Sequence, residues 1–141
     1  MSILVGYVHT SEGAAALERA VQEARDRGTR LHVVRVLQEP TTDDPTQHRD
    51  WSQALDQARD DAARLEQQLT ERGLDVSVEL VVTSRSSPAD VLLELSSRDE
   101  VELLVIGMRR RSRVGKLVLG SAAQQLLLHA EVPVLAVKPE E

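Results

Sequence analysis

The sequence predicts an α/β domain in which a five-stranded parallel sheet carries helices on both faces. Two observations lead there. Five short runs rich in Val, Leu and Ile alternate with four segments whose apolar residues recur every three or four positions. Most of the runs also lack polar alternation, as strands covered on both faces do. Strict alternation of strand and helix implies right-handed crossovers and therefore parallel pairing. At 141 residues, 41% hydrophobic and 28% charged, the chain has the size and balance of one domain spanning 1–141.

The elements follow in order. Ile3 to Val8 reads as a buried strand ending in the turn formers His9, Thr10 and Ser11. Ala14, Leu17, Ala20, Val21 and Ala24 have helical spacing, and Gly28 is placed to close that helix. Leu31 to Leu37 is the second strand. Asp44 and Pro45 form a cap-then-proline start. From there Trp51, Leu55, Ala58, Ala62, Leu65 and Leu69 draw one apolar stripe down a long helix, which Gly73 ends. Val76 to Val82 alternates, as an outer strand would. Ser87-Pro88-Ala89-Asp90 opens the next helix, and Val101 to Ile106 is the fourth strand. Gly120-Ser121 opens the last helix, with Leu126, Leu127 and Ala130 expected inward, before the final strand Val132 to Val137. The architecture is a Rossmann-like open sandwich. With strand order 3-2-1-4-5, the order reverses between the first and fourth strands, where such folds bind ligands.

Composition excludes several functions. The chain has no Phe and no Cys, and a net charge of −6. It therefore offers little surface for stacking bases and repels a phosphate backbone, so no nucleic-acid partner is expected. Disulfide and thiol chemistry are absent. The start of the chain has no basic region leading into a long apolar stretch, and no apolar run is long enough to span a bilayer. A cytoplasmic protein with no membrane partner is the expectation. His32, His48 and His129 are scattered without ligand spacing, and no serine lies in a nucleophile motif, so neither a metal site nor a catalytic residue is assigned.

The most unusual stretch is Gly107 to Ser121, which carries Arg109, Arg110, Arg111, Arg113 and Lys116 and no acidic residue. Glycines permit close backbone approach, arginines form forked bonds to phosphate oxygens, and a helix start favours an anion. Together they supply what a phosphate site needs. Two plainer readings stand beside this one. Ser121-Ala122-Ala123-Gln124 is also an S-x-x-Q capping box, and the arginines also suit a solvated loop. His9, at the end of the first strand, is a further candidate ligand contact.

The opening Ile3-Leu4-Val5-Gly6-Tyr7, the Pro88-Ala89 helix start, Val105-Ile106-Gly107, Leu119-Gly120-Ser121 and the closing Val132-Pro133-Val134-Leu135-Ala136-Val137-Lys138 together resemble the universal stress proteins over the whole chain. That family's nucleotide-binding branch holds ATP phosphates in a G-x2-G-x9-G-[S/T] loop. Here Gly107, Gly120 and Ser121 match it, whereas Arg110 replaces the second glycine. Val8 stands where the family commonly has an Asp near the nucleoside. The resemblance implies a stress-response binding module, not an enzyme, with slow nucleotide hydrolysis left open. It would bind an adenine nucleotide, ATP with Mg²⁺, at the switch point, with Val8 and Val36 beside the base and Arg109, Arg111 and Lys116 assisting the phosphates. It also implies a homodimer through Val132–Val137. The alternative reading is a dimeric interaction protein whose basic loop contacts an acidic partner.

Overall fold

The computed structural model describes residues 1–41, 43–110 and 117–139. Its elements run β1 (Ser2–Gly6), α1 (Ser11–Arg27), β2 (Arg30–Gln38), α2 (Pro45–Glu71), β3 (Val76–Thr83), α3 (Pro88–Ser96), β4 (Val101–Gly107), β5 (Arg109–Arg110), β6 (Leu117–Val118), α4 (Ser121–His129) and β7 (Val134–Val137).

Ile3, Leu4 and Val5 are fully buried, so β1 must be covered on both faces and flanked on both sides. It lies at the centre of a parallel sheet of order β3-β2-β1-β4-β7, the predicted order counted over the five main strands. Side chains alternate across the pleat and build two cores. Ile3, Val5, Leu31, Val33, Leu103 and Val105 meet Ala16, Ala20 and Val21 of α1 and Leu69 of α2 on one face. Leu4, Val34, Leu104 and Ile106 meet Leu92 and Leu95 of α3 and Leu126 of α4 on the other. The alternating β3 lies at one edge, as expected, with no fully buried residue.

The caps explain the helix limits. Thr10 accepts a hydrogen bond from the Gly13 amide at 3.2 Å and starts α1, and Gly28, at φ 62°, takes the left-handed conformation that ends it. Asp44 accepts from the Thr46 amide at 2.9 Å ahead of Pro45. Ser87 and Asp90 form a reciprocal capping box at the start of α3.

Asp90 also accepts a hydrogen bond from Gln125 Nε2 at 2.6 Å, which ties α3 to α4. Its carboxyl is held below the ordinary value of 3.8, first by the Ser87 hydroxyl, then by Gln125 and the Ser87 amide. A folded-state pKa below the unfolded one means folding favours the carboxylate. The stabilisation is present above about pH 4 and is lost as the pH falls through the folded-state pKa. Asp90→Asn is therefore expected to lower the melting temperature at neutral pH. The gap to the parent narrows as both are melted at progressively more acidic pH.

Three features depart from the sequence expectation. The basic loop contains a two-residue antiparallel ladder pairing Arg109 with Val118 and Arg110 with Leu117. Leu127, expected inward, is 40% exposed, because the short α4 buries only the stripe through Ala123 and Leu126, and Leu127 lies about 100° round the helix from Leu126. The last strand is shorter than expected, four residues from Val134, although the Pro133 carbonyl still accepts from the Leu104 amide at 3.0 Å. No helix among the described residues is long and apolar enough to cross a membrane.

Candidate functional site

From β1 the chain turns through α1 to β2 on one side, and from β4 through α4 to β7 on the other. The carboxyl ends of β1 and β4 are adjacent, and their connections diverge. The divergence leaves two contiguous cavities of about 160 and 360 Å³. The smaller is apolar, lined by Val34, Val36, Pro88, Leu92, Ile106 and Leu126 among others. The larger adds the polar groups of Thr10, Glu12, Arg109 and Ser121, with the Gly120 backbone, to an otherwise apolar lining. Val8, Gly107, Ala122 and Ala123 line both. An apolar pocket opening into one that carries a helix start, a hydroxyl and an arginine suits a ligand with a flat apolar end and an anionic end.

The polar cavity is shaped by the start of α4. Gly120 is its N-cap, with no side-chain hydrogen bond, and Ser121 is the first helical residue. The S-x-x-Q capping box is thus not formed. The Gln124 amide donates to the Gly120 carbonyl at 3.0 Å, and the Gln124 side chain reaches back to the Leu119 carbonyl at 3.5 Å. The first-turn amides of α4 are left without a side-chain acceptor beside the cavity, where the helix dipole favours an anion. Gly120 has an ordinary φ of −66°, and a Cβ added there would meet nothing within 4 Å among the described residues. Neither the backbone conformation nor packing among the described residues calls for a glycine at this position.

Gly107 differs. A Cβ there would meet the Glu12 carbonyl oxygen at 2.5 Å, so the end of β4 can approach the first turn of α1 only as glycine. That approach brings the Glu12 side chain, 17% exposed, to the polar cavity, with its Oε1 4.0 Å from Arg109 Nε. The carboxylate is placed at the positive end of α1 and next to a cation.

The structure therefore brings together Val8, Gly107, Arg109, Gly120 and Ser121, with Val36 in the apolar part. His9 is not with them. It lines a cavity on the opposite face of the sheet. Arg110 lies on β5, and Arg111 and Lys116 lie outside the described residues. Sequence reasoning missed Thr10, Glu12, Leu92, Ala122 and Ala123 as lining residues. The small residues after Ser121 carried the available signal for two of them. Among the described residues no group of three or more His, Asp or Glu side chains is placed to hold a metal ion.

Comparison with known proteins is consistent with this geometry. The Universal stress protein family model matches residues 1–138. A universal stress protein of Mycolicibacterium smegmatis is 36% identical over 137 residues, 97% of each chain. The structure of a universal stress protein from Archaeoglobus fulgidus superposes with a TM-score of 0.76 at 26% identity, covering 98% of both chains. A structure of the universal stress protein from Archaeoglobus fulgidus in complex with dAMP superposes at 0.70, with 22% identity and 98% of both chains covered. With family model, relative and fold agreeing over nearly its whole length, this chain belongs to the universal stress protein family.

Proposed function

We propose that this protein binds an adenine nucleotide at the β1/β4 switch point and serves as a non-catalytic, stress-responsive binding module. The observation that carries the reading is the uncapped start of α4. It faces a cavity that carries Thr10, Arg109 and Ser121 and is continuous with an apolar one, and nothing among the described residues requires Gly120 to be glycine. A fold neighbour solved with dAMP supports the ligand class. In this reading the base lies between Val8, Val36 and Leu92. The phosphates take hydrogen bonds from the first-turn amides of α4 and the Ser121 hydroxyl, with Arg109, Arg110, Arg111 and Lys116 contributing charge. Val8 is 50% exposed, and a bound base would cover it.

Glu12 opposes the phosphates, both by its own charge and by its hold on Arg109. Glu12→Gln is expected to tighten ADP or ATP binding by about three- to tenfold at low salt, with a smaller gain for adenosine, since the pair is screened and Arg109 is exposed. Calorimetric titrations of parent and variant with the three ligands check this.

The direct test is a calorimetric titration with ATP, ADP and AMP, with and without Mg²⁺, alongside thermal melts. Saturation at about 100 times Kd adds about 2.7 kcal/mol of stability. Failure of all three to bind or to raise the melting temperature at millimolar concentration defeats the proposal. The edge strand β7, paired to β4 alone among the described residues, is the surface through which a homodimer would form by strand pairing. Light scattering of the purified protein tests the assembly.

A further inference from the structure

A second cavity, of about 230 Å³, lies on the other face of the sheet. It lies between the α2 residues Asp61, Ala62, Arg64, Leu65 and Gln68 and the sheet, where Arg35 of β2, Val78 of β3 and the segment after β1 meet. Leu31 and Val33 fill the core beneath them, but the next side chain of β2 on that face is Arg35. Arg35 is only partly exposed, lines the cavity, and has neither a hydrogen bond nor an ion pair among the described residues. A guanidinium carries five donors, and half-burying it without an acceptor is costly.

The acid nearby does not serve it. Asp61 accepts from Gln57 Nε2 at 2.9 Å and from Arg64 at 3.1 Å, which keeps its carboxyl below the ordinary range. Asp61 is engaged by Gln57 and Arg64 and faces the His9 imidazole, which leaves Arg35 as the guanidinium of the lining without an acid. The rest of the lining is a body-binding surface. The rings of Tyr7 and His9 sit 6.2 Å apart at a tilt of 40°, and Leu65 and Val78 present apolar groups. Beyond the end of β1 the chain bends, so that His9 lines this cavity and Val8 the switch-point cavities, while Tyr7 lines both faces.

We propose that this cavity is a second ligand site, for a small organic monocarboxylate with an apolar body. The carboxylate would take the fork of Arg35, and the body would lie against Tyr7, Leu65 and Val78. One unpaired guanidinium matches one negative charge, and its planar fork matches a carboxylate in two-point contact. The inference is independent of nucleotide binding.

The test is a ¹H–¹⁵N NMR titration of the full chain with benzoate and with hexanoate, using benzamide as the neutral counterpart of benzoate. At least one acid is expected to bind at millimolar concentration or below and to shift the amides of Tyr7, Arg35 and Leu65, with benzamide at least about tenfold weaker. Arg35→Gln should lose about tenfold in affinity while keeping its melting temperature. The proposal is overturned if neither acid binds up to about 20 mM. It is also overturned if benzamide binds as well as benzoate, if Arg35→Gln binds like the parent, or if the shifts centre on Gly120 and Ser121.

Discussion

Replacing Gly120 by Val is expected to weaken adenine-nucleotide binding by at least about 100-fold, or about 2.7 kcal/mol, while the melting temperature stays within a few degrees of the parent. The backbone at Gly120 already has the φ of an ordinary residue, and its Cβ direction is open. A branched side chain is therefore accommodated by the fold. Its methyl groups would, however, occupy the approach to the first-turn amides of α4, displacing the phosphates from the positive helix end. Calorimetry and a thermal melt on the same preparation decide the matter. Unchanged affinity would place the phosphates elsewhere, and loss of folding would mean that Gly120 has a structural role.

Gly107→Val should do the opposite in order of cause. Its Cβ would stand 2.5 Å from the Glu12 carbonyl oxygen and 2.8 Å from its carbonyl carbon, both backbone atoms of α1. Because a helix backbone cannot rotate away as a side chain can, the strand end and α1 must separate. The expected loss is about 3 kcal/mol, measured by denaturant unfolding, with nucleotide affinity falling as a consequence of the distorted cavity. The contrast with Gly6 is instructive. A Cβ there approaches only the tip of the Leu92 side chain, at 2.7 Å, which has room to change rotamer. Gly6→Ala should therefore be milder than Gly107→Val in the same assay. A Gly107→Val protein as stable as its parent would refute the close approach.

Much of the fold was legible because its signals are local. The unalternated Ile3–Val5 and Leu103–Ile106 runs can be satisfied only by a strand covered on both faces, and the alternating Val76–Val82 only by an outer one. Ser87, Pro88 and Asp90 announce the start of α3, and Gly28 the end of α1, through bonds that span a few residues. The candidate site was half legible. Gly107, Arg109, Gly120 and Ser121 stood out because glycines, arginines and a helix start are a recognisable combination. Val8 and Val36 were placed through the family resemblance.

What remained hidden depends on distance in space. Glu12 reads as an acid in the first turn of a helix, and only the glycine-allowed contact of β4 with α1 carries it to Arg109. The S-x-x-Q letters place the cap at Ser121, yet the helix begins one residue earlier, with Gly120 as a cap that has no side chain to offer. His9 follows Val8 in sequence yet faces another cavity, because the chain bends there, with the Thr10 amide donating to the Val8 carbonyl at 2.9 Å. By itself the sequence determined the parallel α/β architecture and, with the 3-2-1-4-5 order taken as a premise, the region of the switch point, since periodicity, caps and crossover handedness act over short separations, whereas strand order is set by long-range pairing. Tertiary structure alone decided which side chains share a cavity, which arginine is left without an acid, and which glycine is needed for packing, because those depend on how far apart the helices settle on the sheet.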